Sequence, residues 1–297
     1  MSDAVSSLGS RAVAREIQTV GVVGLGTMGA GIAQVALQAG HAVIGREVTE
    51  ELGASARERI GHYLGRAVEK GKLTDEDRDA ALGRLTTTTD VADLATSELV
   101  IEAIVEDLDA KRTLFADLDR ICAPDAILAT NTSALSVTEI AAATRRPERV
   151  VGMHFFNPAP VLPLVEIVRT EQSGEDVVDA AYAWAERAGK RPVRCNDTPG
   201  FIVNRILIPL LNDCVRVLDE ARVEPEDLDK AMTNGAGWPL GPCALIDLIG
   251  IDIHIHASEA LHEKIPETRV APPERLRRMA SEGRLGRKTG EGFFRYE

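Results

Sequence analysis

Two side chains in the segment Gly152-Met-His-Phe-Phe-Asn-Pro-Ala-Pro-Val-Leu-Pro-Leu-Val-Glu-Ile-Val168 have the types and spacing to move a proton. His154 ends an apolar run, Val150, Val151 and Met153, that reads as a buried strand, and Glu166 sits in a second strand-like run, Leu164 to Val168. Asn-Pro-Ala-Pro between them forces a turn, because proline fixes φ and cannot donate to a ladder. A hairpin-like return would bring the carboxylate back beside the imidazole. Imidazole titrates near neutral pH, and a carboxylate fixes its tautomer and stabilises its charged form, which is what a general base needs. A satisfied core histidine with a structural acid would have the same pattern, and this segment alone leaves both readings open.

A second constellation is Gly24, Leu25, Gly26, Thr27, Met28 and Gly29, directly after the valine-rich run that starts at Thr19. Good helix formers, Ala30 to Ala39, follow up to Gly40, and a strand-like run from Ala42 ends at Glu47. A glycine-rich turn between strand and helix, with an acid about 20 residues on, reads as a dinucleotide site. Gly24 permits the tight turn, Gly26 lets the backbone approach a pyrophosphate, and Gly29 allows close helix–strand packing. The helix N-terminus presents unpaired N–H groups to the anion. Glu47 would accept hydrogen bonds from ribose hydroxyls and repel a 2′-phosphate, so NAD is expected. The neighbouring Arg46 keeps NADP as the alternative.

The elements that must hold these groups alternate. Strand-like runs at Leu99–Val105, Ala126–Thr130, Arg149–Phe155, Leu164–Val168 and Arg191–Arg194 are separated by helical runs at Lys111–Ile121, Val137–Ala143 and Val177–Arg187. A charged stretch from Glu50 to Gly83, with Ile60, Leu64 and Val68 at helical spacing and a break near Gly71, reads as an inserted helical pair. This β-α alternation predicts an α/β fold, a Rossmann-like doubly wound, mostly parallel sheet over residues 17–198. After Thr198-Pro199-Gly200 the pattern turns helical, with one long apolar helix, Phe201–Ala221, and shorter ones to Glu282, so residues 199–297 are expected to form an all-α domain. Residues 1–16 are small and polar and read as a flexible tail.

Composition bounds the function. The chain has 297 residues, 44% hydrophobic content and a formal charge of -12, with no stretch approaching the apolar length of a membrane span. That charge argues against a nucleic-acid surface. The four cysteines, Cys122, Cys195, Cys214 and Cys243, have no metal-ligand spacing, so no metal is expected and a cytoplasmic location is.

With these motifs in order, the chain resembles the 3-hydroxyacyl-CoA dehydrogenase family, particularly its short bacterial 3-hydroxybutyryl-CoA members. The likeness runs from about Ile17 to the C-terminus. It rests on GLGTMGAGIAQ (Gly24–Gln34), IEAIVEDL (Ile101–Leu108), LATNTSALSVTEIA (Leu128–Ala141), MHFFNP (Met153–Pro158), DTPGFIVNRIL (Asp197–Leu207), GPCALIDLIG (Gly241–Gly250) and GRLGRKTGEGFF (Gly283–Phe294). The resemblance implies NAD-dependent, reversible oxidation of a short-chain (S)-3-hydroxyacyl-CoA to the 3-oxoacyl-CoA, as fatty-acid or butyrate metabolism would use. It implies His154 as the base, Glu166 as its orienting carboxylate, and Ser133 and Asn204 as hydrogen bonders to the substrate. Cofactor contacts are implied for Glu106, Lys111, Asn157 and Lys288, and Lys70 and Lys111 are candidates for the CoA phosphates. From the residues alone, Ser133 could instead cap the Val137 helix, and Asn204 could serve a helix start.

Relatives usually carry Asp at the position of Glu47, many carry Lys where Pro163 stands, and a bulkier residue is usual at Gly45. A dehydrogenase acting on a carrier-protein-tethered chain keeps the same chemistry, and a non-catalytic dinucleotide-binding protein keeps only the turn. The apolar surface of Phe201–Ala221, with Phe293 and Phe294, predicts a homodimer.

Overall fold

The structure, a computed structural model, describes residues 17–296, so the expected tail over 1–16 lies outside the described residues. The chain divides into two compact units at Asp197–Thr198.

The first unit is built on one sheet. Its strands are β1 (Thr19–Val23), β2 (Ala42–Arg46), β3 (Leu85–Thr88), β4 (Leu99–Glu102), β5 (Ile127–Thr130), β6 (Val150–Phe155), β7 (Leu164–Arg169) and β8 (Arg191–Asn196). Their order is β3-β2-β1-β4-β5-β6-β7-β8. Every neighbouring pair is parallel except β6 and β7. Helices α1 (Thr27–Gln38), α2 (Glu50–Glu69), α3 (Asp75–Gly83), α4 (Leu108–Ile121), α5 (Val137–Ala141) and α6 (Glu175–Arg187) make the connections. Strands covered on both faces are near-continuous apolar runs, and β4, β5 and β6 are buried at every position, with Glu102, Thr130 and His154 the polar residues among them. The order reverses between β1 and β4, and ligands of doubly wound sheets bind beyond the carboxyl ends of the strands at such a switch point.

Three expectations are corrected. β3, an edge strand of one leucine and three threonines, was not expected; it lacks an apolar run, and β-branching rather than hydrophobicity suits it to the sheet. The strand expected to reach Val105 stops at Glu102, with Val105 71% exposed. Helix α1 starts three residues before Ala30, inside the glycine turn itself, so Gly29 packs as a helical residue.

The second unit is helical: α7 (Val203–Glu220), α8 (Pro225–Gly235), α9 (Pro242–Ile249), α10 (Ile251–Lys264) and α11 (Glu274–Ser281). Leu211 and Val215 of α7 pack with Ile246, Ile251, Ile255 and Leu276 in its core. Two acids, half-buried Asp229 and buried Asp247, tie its ends together. Asp229 accepts from the backbone N–H groups of Cys243 and Ala244, supplying the cap that Gly241 cannot. Asp247 accepts from Phe293 N, Phe294 N and the Tyr296 hydroxyl, which anchors the C-terminal turn.

His254 of α10 is 2% exposed, and its Nε2–H donates 2.9 Å to Asn212 Oδ1. The Asn212 amide donates onward to the Val270 carbonyl, which settles the direction of the bond. Burial pushes the His254 pKa down to about 4 from 6.5. The folded chain therefore refuses a proton that the unfolded chain binds. Stability present above pH 6.5 is lost as the pH falls toward 4, by about 3 kcal/mol in all. Urea denaturation across that window should show the slope in the wild type and its loss in His254→Gln; equal slopes would place the titration elsewhere.

Candidate active site

The antiparallel pairing of β6 and β7 sets His154 directly opposite Glu166. Directly opposed residues share a face of the sheet, and His154 Nδ1 lies 2.7 Å from Glu166 Oε2. The pair is buried, His154 to 5% exposure and Glu166 to 0%. Phe156 lies over the imidazole, ring centroids 4.5 Å apart. With Nδ1–H directed at the carboxylate, Nε2 is the nitrogen that exchanges a proton.

The glycine turn joins β1 to α1 at the switch point. Gly24 has φ +83, and a Cβ there would meet the Ala103 carbonyl at 2.8 Å. At Gly29 a Cβ would overlap the Gly24 carbonyl oxygen, whereas at Gly26 it would meet no heavy atom within 4 Å. Two glycines thus close the turn and the third leaves it open on the outside, where a pyrophosphate would lie at the N-terminus of α1. Glu47 Oε1 accepts from Leu25 N at 2.5 Å, and Oε2 from Val48 N at 3.1 Å. A carboxylate has about four acceptor sites, so Glu47 can brace the turn and still receive ribose hydroxyls. Gly45 also has a reason here: a Cβ there would stand 2.8 Å from the Leu25 side chain. Arg46 Nε donates to the Thr89 carbonyl at 3.3 Å.

A third cluster follows β4 and β5. Glu102, fully buried, accepts from Lys111 Nζ at 2.5 Å, Thr130 Oγ1 at 2.7 Å and Ile104 N at 2.7 Å. Lys111 Nζ also lies 3.3 Å from Glu106 Oε2. Glu106 Oε1 accepts from Thr132 Oγ1 at 2.6 Å, Ser133 N at 2.8 Å, Ser133 Oγ at 3.3 Å and Ala134 N at 3.1 Å. Burial raises the Glu106 pKa, but the Lys111 ammonium, the Thr132 hydroxyl and the two backbone donors together hold it below the usual range. Asn131 Oδ1 accepts from Phe155 N at 2.9 Å, tying this loop to the residue after His154.

The expected residues therefore fall into groups. His154 and Glu166 meet; Glu106, Lys111 and Ser133 meet; Glu47 meets the turn. The cap of α5 is Ser136, which accepts from Glu139 N, so Ser133 is not the capping residue. Lys111 as a phosphate contact is corrected: it is 1% exposed and its charge is committed to Glu102 and Glu106. Lys70, by contrast, is exposed at the end of α2. It borders a cavity of about 500 Å³ whose lining includes Thr27, Gly31, Arg59, Arg66 and Asn157. Asn204 and Lys288 belong to the second unit. Asn204 is half-buried in the first turn of α7, and Lys288 Nζ lies 2.5 Å from Asp252 Oδ2. Glu102 escaped the sequence reading, although an acid ending the otherwise apolar Leu99-Val-Ile run was a signal for it.

A switch-point glycine turn backed by an acid, with a histidine–carboxylate pair on the same sheet, defines a nicotinamide-dependent oxidoreductase of the doubly wound class. Comparison with known proteins narrows this. Residues 19–198 match the family model "3-hydroxyacyl-CoA dehydrogenase, NAD binding domain", and residues 200–296 match the C-terminal domain of the same family. A 3-hydroxybutyryl-CoA dehydrogenase of Mycobacterium tuberculosis is 47% identical over 282 residues, 94% of this chain and 99% of that one. The human mitochondrial hydroxyacyl-coenzyme A dehydrogenase is 41% identical, over 95% of this chain and 92% of its own. The crystal structure of (S)-3-hydroxybutyryl-CoA dehydrogenase from Ralstonia eutropha superposes with a TM-score of 0.90 at 39% identity, covering 95% of this chain and all of that one. The chain belongs to the 3-hydroxyacyl-CoA dehydrogenase family.

Removing the ammonium between the two acids should be costly. Lys111→Met leaves Glu102 buried and uncompensated, and should lower unfolding stability by about 3–5 kcal/mol. Adding Glu102→Gln should recover much of that loss in a double-mutant cycle followed by urea denaturation. Additive losses would show that the pair is not coupled.

Proposed function

We propose that the protein catalyses the reversible, NAD-dependent oxidation of (S)-3-hydroxybutyryl-CoA and related short-chain 3-hydroxyacyl-CoA esters. The observation that carries this reading is the 2.7 Å contact between buried His154 and Glu166 on the sheet that also carries the glycine turn.

NAD, bound at that turn, would accept the hydride that leaves C3 of the substrate. The open side of Gly26, the N-terminus of α1 and the Glu47 carboxylate fit a dinucleotide. Arg46, directed to Thr89, supports NAD over its 2′-phosphorylated form. In oxidation, His154 Nε2 takes the 3-hydroxyl proton while Nδ1–H stays on Glu166, whose charge stabilises the imidazolium. In reduction, the same nitrogen returns the proton to the alkoxide. Ser133 would turn its hydroxyl to the reacting oxygen from a loop that Glu106 holds through the Ser133 and Ala134 N–H groups. Asn157, in the link after β6, contributes to cofactor binding. Arg59, Arg66 and Lys70 around the cavity favour a phosphate-bearing CoA ester over a carrier-tethered chain.

No helix among the described residues is long and apolar enough to cross a membrane. The four cysteines are free thiols, which supports the cytoplasm as the compartment. Exposed Ile206, Leu248 and Ile253 on the second unit support a homodimer. Light scattering should return twice the chain mass of 32.0 kDa; a monomeric mass would refute the dimer.

With acetoacetyl-CoA, the wild type should oxidise NADH. His154→Ala should lose about 10²–10⁴-fold in kcat with NADH affinity retained, and Glu166→Gln should lose less. Tight NADH binding without turnover on any acyl-CoA would overturn the CoA reading. Equal efficiency on a pantetheine thioester would move the assignment to a carrier-bound substrate.

A further inference from the structure

Lys190, the residue before β8, carries a buried cation that the chemistry above does not use. It is 9% exposed, and its Nζ donates to the carbonyls of Ala159 and Leu162, at 2.5 and 3.1 Å. Among the described residues its partners are carbonyls and no carboxylate. Burial lowers its pKa, with no charged neighbour opposing. A buried ammonium without an acid is costly, so the place where its hydrogen bonds are spent is informative.

Both carbonyls belong to the link of residues 156–163 between β6 and β7. Three of its residues, Pro158, Pro160 and Pro163, have no N–H to contribute. Its internal bonds run from Val161 N and Leu162 N to the Pro158 carbonyl. Outward, the Pro163 carbonyl accepts from Arg191 N at 2.7 Å, and Lys190 takes two more carbonyls. On its other side the link lies against α1: a Cβ on Gly31 would come within 3.2 Å of Ala159 and 3.1 Å of Pro160. Residues 157–161 form one wall of the cavity whose lining also includes Arg66 and Lys70. The His154–Glu166 register does not need this clamp, because the β6–β7 ladder sets it.

We infer that Lys190 is a positioning residue for substrate binding: by holding the 157–161 wall against α1, it sets the width of the basic cavity that receives the phosphate-bearing end of the acyl-CoA. The inference rests on the acyl-CoA reading above. It assigns Lys190 to affinity and not to proton transfer, since the base and its carboxylate are fixed independently.

Steady-state kinetics on the full chain with NADH, comparing acetoacetyl-CoA with the acetoacetyl thioester of pantetheine, tests it. Lys190→Met should raise KM for the CoA ester roughly tenfold, because two carbonyls lose their donor and the wall relaxes. Its kcat should stay within about twofold, and its pH profile unmoved. KM for the pantetheine thioester, which lacks the phosphates, should not change. Lys190→Arg, which still donates, should restore most of the lost affinity. If Lys190→Met does not fold, Lys190→Gln should show a smaller rise of the same selectivity. Equal KM changes for both thioesters, or a fall in kcat with a displaced pH profile, would overturn the inference. Wild-type protein inactive on acetoacetyl-CoA would sink the activity reading and this inference together; active wild type without the selective KM change sinks the inference alone.

Discussion

The site depends on one reversal of strand direction. A parallel neighbour for β6 would need a crossover of a dozen or more residues, and the link of residues 156–163 is too short to provide one. β7 therefore runs back along β6, and the register Gly152↔Val168 to Phe155↔Val165 puts imidazole and carboxylate on opposed positions of one face. A slip of one residue would send one of them to the other face. Burial of Val165, Ile167 and Val168 opposes such a slip, because it would bring Glu166 out of its place and apolar groups into it. The chemistry is thus secured by hydrophobic packing on either side of two polar groups, not by those groups themselves.

Around that pair, acids organise the backbone. Glu47 holds Leu25 N, Glu102 holds Ile104 N, and Glu106 holds Ser133 N and Ala134 N. Each sits beyond or at the end of a parallel strand, where the chain leaves the ladder and its N–H groups need new acceptors. Lys111 answers the resulting concentration of negative charge from the middle of the buried cluster. The loop carrying Ser133 is therefore held both from a distance, by Glu106 between β4 and α4, and locally, by Thr132 Oγ1, which accepts from Ala134 N and Leu135 N.

The glycine turn shows how local chemistry and packing share one element. Gly29 is demanded by a contact within the turn, Gly24 by its own positive φ and by the Ala103 carbonyl after β4, and Gly45, on the neighbouring strand, by the turn's Leu25. Gly45, where relatives usually carry a bulkier residue, leaves the room in which the turn's leucine packs.

Much of this was legible in the linear pattern. Alternating apolar runs and helical spacings announce a doubly wound sheet followed by helices, because burial on both sheet faces imposes apolar continuity and the helices impose their own period. The proline-bounded link announces the return that joins His154 to Glu166, since a short link admits only one strand direction. What tertiary structure alone decided is where charge goes. Nothing local distinguishes the exposed Lys70 from Lys111 and Lys190, whose ammonium groups are buried. Nor does polarity alone mark Leu85–Thr88 as a strand, for it becomes one by pairing with β2. Periodicity reports which face of an element is apolar. The partners of a buried cation come from segments distant in sequence, and only the closed fold brings them together.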